Sequence, residues 1–202
     1  MSISLRAALL GAFLGLCAVT PSVEAAQLKS VKVTTAASIP AIRPDWPIPR
    51  EPNQLFYLQR SSNSNTVVYT SIFDGNGNLK AKRPAQAYWR RYNTDGARKG
   101  LKKIEQRFAY GLNIKSRGDG SYNVSLKPLP QLQMLLHQTG TGKAEVVGKI
   151  GGRDARVVYA FVSLDESGMI PKVTAISLHG IDLASGSAIS EVFSVSGGAI
   201  NQ

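Results

Sequence analysis

The sequence predicts an all-β protein, an antiparallel β-barrel or β-sandwich of about 8–10 strands with one amphipathic helix packed on it. Three observations carry that expectation. Short runs rich in aromatic and β-branched residues recur at roughly 8–15-residue spacing from residue 53 onward. The gaps between them hold Gly, Asn, Asp and Pro, the residues that turns require. A single stretch has helical spacing: Leu101, Ile104 and Phe108 lie at i, i+3 and i+7.

In chain order, Gln54 to Arg60 and Asn65 to Phe73 are strand-like, with Asn63-Ser64-Asn65 between them as a polar turn. Asp74-Gly75-Asn76-Gly77-Asn78 is a turn signal. Ala85 to Tyr92 is the next strand, ended by Asn93-Thr94-Asp95-Gly96. The helix should start from Thr94 or Asp95 and bury Leu101, Ile104 and Phe108. Gly100 weakens it by about 1 kcal/mol relative to Ala. Ala109 to Lys115 and Tyr122 to Lys127 flank the hairpin signal Gly118-Asp119-Gly120. Leu132 to His137, Ala144 to Ile150, Arg156 to Leu164, Val173 to Leu183 and Ala188 to Val195 complete the strands. In the third of these five, Val157 to Val162 is apolar on both faces, so both sides of that strand should be covered.

The first 26 residues have the layout of a secretory signal peptide: Arg6, an apolar run from Ala7 to Val19, the breakers Thr20-Pro21-Ser22, then small residues to Ala26. The 13-residue run is short for a membrane span, which needs about 20 residues. Leu16 precedes Cys17, which argues against a lipoprotein anchor. Cleavage at Ala25 or Ala26 would leave an exported chain, periplasmic or secreted, with no cysteine and no integral membrane span. Residues 27–52 read as a flexible leader and a stiff arm. Pro40, Pro44, Pro47, Pro49 and Pro52 forbid a helix there, and Trp46 and Ile48 are its candidate pins. Residues 53–202 then form one β domain.

Charge is concentrated. The whole chain carries +11. Residues 80–117 hold twelve basic side chains against Asp95 and Glu105, net +10, whereas the last 82 residues are balanced at six and six. Arg98, Lys99, Lys102, Lys103 and Arg107 form the densest part, a candidate anion-binding patch for anionic lipid, acidic glycan or another polyanion.

Few constellations point to chemistry. His137 and His179 lack acidic or cysteine partners at readable spacing, so no metal site and no cofactor is implied. Gly140-Thr141-Gly142-Lys143 lacks the first glycine and the hydroxyl residue of a phosphate loop, since His137 and Ala144 stand there. Asp74 to Asn78 lacks the glycine and closing Glu of a calcium loop, since Leu79 and Ala85 occupy those positions. More informative are aromatic and arginine side chains on two strands: Tyr57 and Arg60 on one, Trp89 and Arg91 on the other, with Glu105 and Tyr110 following. Alternation along Tyr88 to Tyr92 points either Arg90 or Arg91 inward, and an inward arginine needs a partner. That partner would be Glu105 or an anionic ligand. Tyr57, Arg60, Trp89, Arg91, Glu105 and Tyr110 are therefore the candidate ligand-binding residues.

Several longer strings are distinctive: Pro47-Ile48-Pro49, Asn53 to Arg60, Asn63, Asn65-Thr66-Val67-Val68-Tyr69, Tyr88-Trp89-Arg90-Arg91-Tyr92, and Glu105 with Phe108-Ala109-Tyr110-Gly111. Together they resemble the uncharacterised domain-of-unknown-function family 4833, well over Pro47 to Gly111 and loosely beyond. The resemblance implies export from a bacterial cell and a single domain, and it assigns no chemistry. The expectation is a non-enzymatic, exported binding domain for an anionic or amphipathic ligand at the cell envelope. Two alternatives compete. One is a hydrolase or isomerase with Glu105 as base and Arg91 and Tyr110 stabilising an oxyanion. The other is a purely structural envelope protein.

Overall fold

The computed structural model describes residues 27–36, 43–169 and 172–196. The expected signal peptide, residues 1–26, lies outside them. The chain is mostly β, 59% strand against 4% helix. Among the described residues the elements are β1 (Gln27–Ala36), β2 (Gln54–Arg60), β3 (Asn63–Ser71), β4 (Ala85–Arg90), β5 (Arg98–Gly100), α1 (Lys103–Phe108), β6 (Leu112–Ser116), β7 (Tyr122–Leu126), β8 (Leu129–Gly140), β9 (Lys143–Ile150), β10 (Arg153–Asp165), β11 (Lys172–Asp182) and β12 (Ala188–Ser196).

β10 organises the sheet. One edge pairs with β11 along its length. The other edge is shared: β9 runs antiparallel beside Arg153–Arg156, and β2 runs parallel beside Tyr159–Val162. Two antiparallel arms grow from that fork, β2-β3-β4-β5 and β9-β8-β7-β6, while β12 and β1 continue beyond β11. β5, β6 and β1 each have one partner strand among the described residues, so the sheet is a curled, open half-barrel. The parallel β2–β10 pair is a departure from the all-antiparallel expectation.

The main core fills the curl. Val67 and Tyr69 of β3 share one apolar cluster with Val124 of β7, Leu136 of β8 and Val146 of β9. Phe56 stacks on Tyr69 at 4.3 Å. The Asp74–Asn78 turn clamps one arm to the other. Gly142 N donates to Gly77 O at 2.9 Å, and Gln138 Nε2 donates to the same oxygen at 2.8 Å. Gly77 has φ +77°, and a Cβ there would meet Thr141 Cγ2 at 2.5 Å, so only glycine fits.

The double-sided apolar run of β10 is explained by a bulge. Register slips between Val157 and Tyr159. Val157 and Ala160 face the main core, while Tyr159 and Phe161 join Tyr57 in a second cluster, against which Trp46 and Val158 pack. Trp46 thus pins the proline arm, as expected; Ile48 does not, being 54% exposed. Pro47 O also accepts from Gln59 Nε2 at 3.2 Å.

Three further expectations are corrected. Gln27–Ala36, read as flexible leader, forms β1 and pairs antiparallel with β12. The polar turn falls at Ser61-Ser62, and Asn63-Ser64-Asn65 begins β3. The helix is only Lys103–Phe108, and no residue in it is buried. Its expected first turn is captured elsewhere. Thr94 and Asp95 close a turn on Arg91 O and Ala97 N, and Arg98–Gly100 pairs with Tyr88–Arg90 as β5. Leu101 alone of the predicted apolar face is buried; Ile104 is 65% and Phe108 38% exposed. The helix is therefore not packed on the sheet by an apolar stripe.

Candidate anion-binding site

The end of the β2–β3 hairpin carries Arg60, opposite Asn63 in the ladder. β4 lies on the far side of β3 and brings Trp89 level with Val67, which is itself level with Leu58. Arg60, two residues beyond Leu58, reaches the rim of the core beside the Trp89 indole. The third wall comes from the segment after α1. Tyr110 O accepts from the buried Tyr69 hydroxyl at 3.0 Å, which holds Tyr110 against the core. Gly111 makes that path possible, because a Cβ there would stand 1.8 Å from Gln106 O.

The result is a guanidinium in an aromatic cage. Arg60 Cζ is 5.2 Å from the Trp89 ring centroid and 5.8 Å from that of Tyr110. The two rings meet edge to face at 4.9 Å. Arg60 Nη1 donates to Tyr110 Oη at 2.9 Å. Arg60 Nε is buried and has no acceptor, and two residues on the Ser62 hydroxyl is buried and unpartnered as well. Burial pushes the Tyr110 phenol up, an effect Arg60 partly opposes. Two ring faces attract the Arg60 guanidinium, but no carboxylate among the described residues pairs with it.

Glu105 does not pair with Arg60. Its Oε2 accepts from Lys102 N at 2.7 Å and from Trp89 Nε1 at 3.3 Å, so it fixes the start of α1 and the angle of the indole. The acid-paired arginine of β4 is Arg90, which shares with Tyr88 the strand face turned away from the main core, and its partner is Glu51 of the proline arm, not Glu105. Tyr88 Oη donates to the other Glu51 oxygen at 3.1 Å. The Arg90 hydrogen bond, foremost, holds the Glu51 carboxyl below the usual range. Burial, then the Glu51 charge, pushes the Tyr88 phenol up to about 12.

Of the six expected ligand-binding residues, Arg60, Trp89, Glu105 and Tyr110 come together. Tyr57 belongs to the second cluster, stacked on Tyr159 at 5.1 Å. Arg91 lies past the end of β4, where its carbonyl accepts from the amides of the following turn. The patch residues Arg98 and Lys99 on β5, Lys102 before α1, and Lys103 and Arg107 in it are all exposed. Arg98 lies over the Tyr88 ring at 3.7 Å.

Two features escaped the sequence. Ser62 carries no signal by itself. His179 on β11 stacks on Tyr159 at 4.1 Å, continuing the Tyr57–Tyr159 ladder across three strands. It is 4% exposed with both ring nitrogens unpartnered. By contrast, His137 Nε2 lies 3.2 Å from Oε1 of its cross-strand neighbour Glu145.

The fold and the cage define a mostly β domain that presents a caged, carboxylate-free arginine at the rim of its core. The chain belongs to the family described as Domain of unknown function (DUF4833), whose model matches residues 56–192. That span takes in β2 to β12 up to residue 192 and so all four residues of the cage. No curated protein and no solved structure matches the chain.

Proposed function

We propose that this is an exported, non-enzymatic binding domain at the cell envelope whose ligand presents an anionic headgroup to Arg60. One observation carries the reading: Arg60 Nε is buried without an acceptor while its guanidinium lies against the contacting rings of Trp89 and Tyr110. A buried donor left unpaired costs about 1–3 kcal/mol. A carboxylate, phosphate or sulfate oxygen on the Nε edge would remove that cost and complete the charge-assisted pair an arginine fork favours. The half-buried Tyr110 ring is the aromatic wall that an amphipathic ligand would meet, since the Trp89 indole is buried in the core. Glu105, committed to an amide and an indole, favours this over the alternative in which it serves as a base.

The reading is tested by proton–nitrogen NMR of the Arg60 Nε–H and Trp89 Nε1–H signals during titration with inorganic phosphate and with dodecanoate. Both signals should shift with one saturating curve for at least one probe, and Arg60→Gln should abolish it. Unmoved signals with both probes, or an unchanged curve for Trp89 in Arg60→Gln, would refute it. Export is tested separately by sequencing the N-terminus of protein recovered outside the cytoplasm, which should begin at Ala26 or Gln27.

A further inference from the structure

Helix α1 turns its apolar side the wrong way for packing. Ile104 and Phe108 are four residues apart, so they stand on one side of the helix. They are 65% and 38% exposed, and the helix buries nothing. Around them, Arg98, Lys99, Lys102, Lys103 and Arg107 are exposed, and no carboxylate among the described residues pairs with them. The one acid between Asp95 and Asp119 is Glu105. It is turned back onto Lys102 N and the Trp89 indole, which leaves Lys99, Lys102, Lys103 and Arg107 without a carboxylate partner among the described residues; Arg107 lies over the Phe108 ring at 5.0 Å.

We propose that α1 and β5 form a docking surface for an anionic lipid bilayer. Ile104 and Phe108 enter the headgroup zone and the surrounding Lys and Arg side chains meet lipid phosphates. The combination selects this partner. A bilayer interface accepts apolar side chains and attracts cations at the same place. A nucleic acid backbone or an acidic glycan would satisfy the cations and leave an exposed Ile104 in water. The six-residue helix is too short to span and suited only to lying at the surface. This surface is distinct from the Arg60 cage, and either can exist without the other.

The test is co-sedimentation of the full chain with vesicles of phosphatidylglycerol and phosphatidylcholine in equal parts, against vesicles of phosphatidylcholine alone. Any pull from the apolar run 7–19 is common to both vesicle types and to every variant, so the anionic excess is the readout. Wild type should show that excess at low salt. Lys102→Glu with Lys103→Glu should weaken it roughly thirtyfold or more, since each cation near an anionic surface contributes appreciably. Ile104→Ser with Phe108→Ser should weaken it about tenfold, from lost apolar insertion. Ile104→Ser alone, at the more exposed position, should show part of that loss and guards against misfolding of the double variant. Arg60→Gln should keep the excess whatever it does to the cage. No anionic excess in wild type, or an Ile104→Ser protein with native circular dichroism that binds as tightly as wild type, would overturn the proposal. So would duplex DNA binding tighter than vesicle binding at the same salt.

Discussion

His179 should make this protein acid-labile well above the pH at which its carboxylates protonate. Burial without a hydrogen-bond partner lowers the imidazole from 6.5 to about 4. The unfolded chain restores the ordinary value, so between those two values the unfolded state binds the extra proton and stability falls as pH drops. The full shift is worth about 3 kcal/mol. Of this, about 2 kcal/mol should be lost between pH 7 and 4.5, because the folded imidazole begins to protonate near the lower end. The perturbation is His179→Phe, which keeps a flat ring against Tyr159 and cannot protonate. Urea unfolding of wild type and variant at pH 7 and pH 4.5 gives four stabilities. The acid loss of wild type should exceed that of the variant by about 2 kcal/mol. Other groups are common to both proteins. Glu51, with its lowered carboxyl, adds a loss that comes on only at lower pH and cancels in the difference. Equal acid losses in the two proteins would show that His179 gains a proton or a partner in the folded state and would refute the reasoning.

Two more outcomes follow from the packing. Glu51→Ala should destabilise by about 1–3 kcal/mol, because it strips a half-buried Arg90 and the Tyr88 hydroxyl of their shared acceptor. Because Glu51 sits in the proline arm, the same variant should also speed protease cleavage around residues 43–52; an arm as resistant as in wild type would show that Trp46 alone holds it. Gly111→Ala should cost more than about 3 kcal/mol, or prevent folding, because the new Cβ would overlap Gln106 O at 1.8 Å; a thermal melt within a degree or two of wild type would disprove the tight approach.

Most strands were legible because their cause is local. Alternation and turn residues act within a few positions, and β7, β9, β11 and β12 fall within a few residues of their expected limits. The helix was misjudged because its periodicity competed with a tertiary partner that no local pattern reveals. The β4 edge takes up Arg98–Gly100, and Gly100 offers little helical resistance. What remained, Lys103–Phe108, kept the spacing of a packed helix without anything to pack on. β1 was missed for a related reason. Its apolar residues are few, Leu28, Val31 and Val33 among lysines and small residues, and the strand exists because β12 offers a free edge.

The candidate site shows the same division between local and distant causes. Arg60, Trp89, Glu105 and Tyr110 could be named from residue type, yet their roles depend on where the two available acids go. Alternation required an acid for an inward arginine on β4, and nearness in sequence favoured Glu105. The arm supplied Glu51 instead, 39 residues from Arg90 along the chain. Arg60 is left without a carboxylate because neither acid turns to it: Glu51 is on Arg90 and Tyr88, and Glu105 is on Lys102 N and the Trp89 indole. With Glu51 on Arg90, Glu105 is free to orient the Trp89 indole, and the indole takes up one face of the Arg60 guanidinium. The unpaired Nε of Arg60 is thus the consequence of two satisfied neighbours rather than of loose packing around it. A ligand oxygen at that position would complete a network whose other members already have partners.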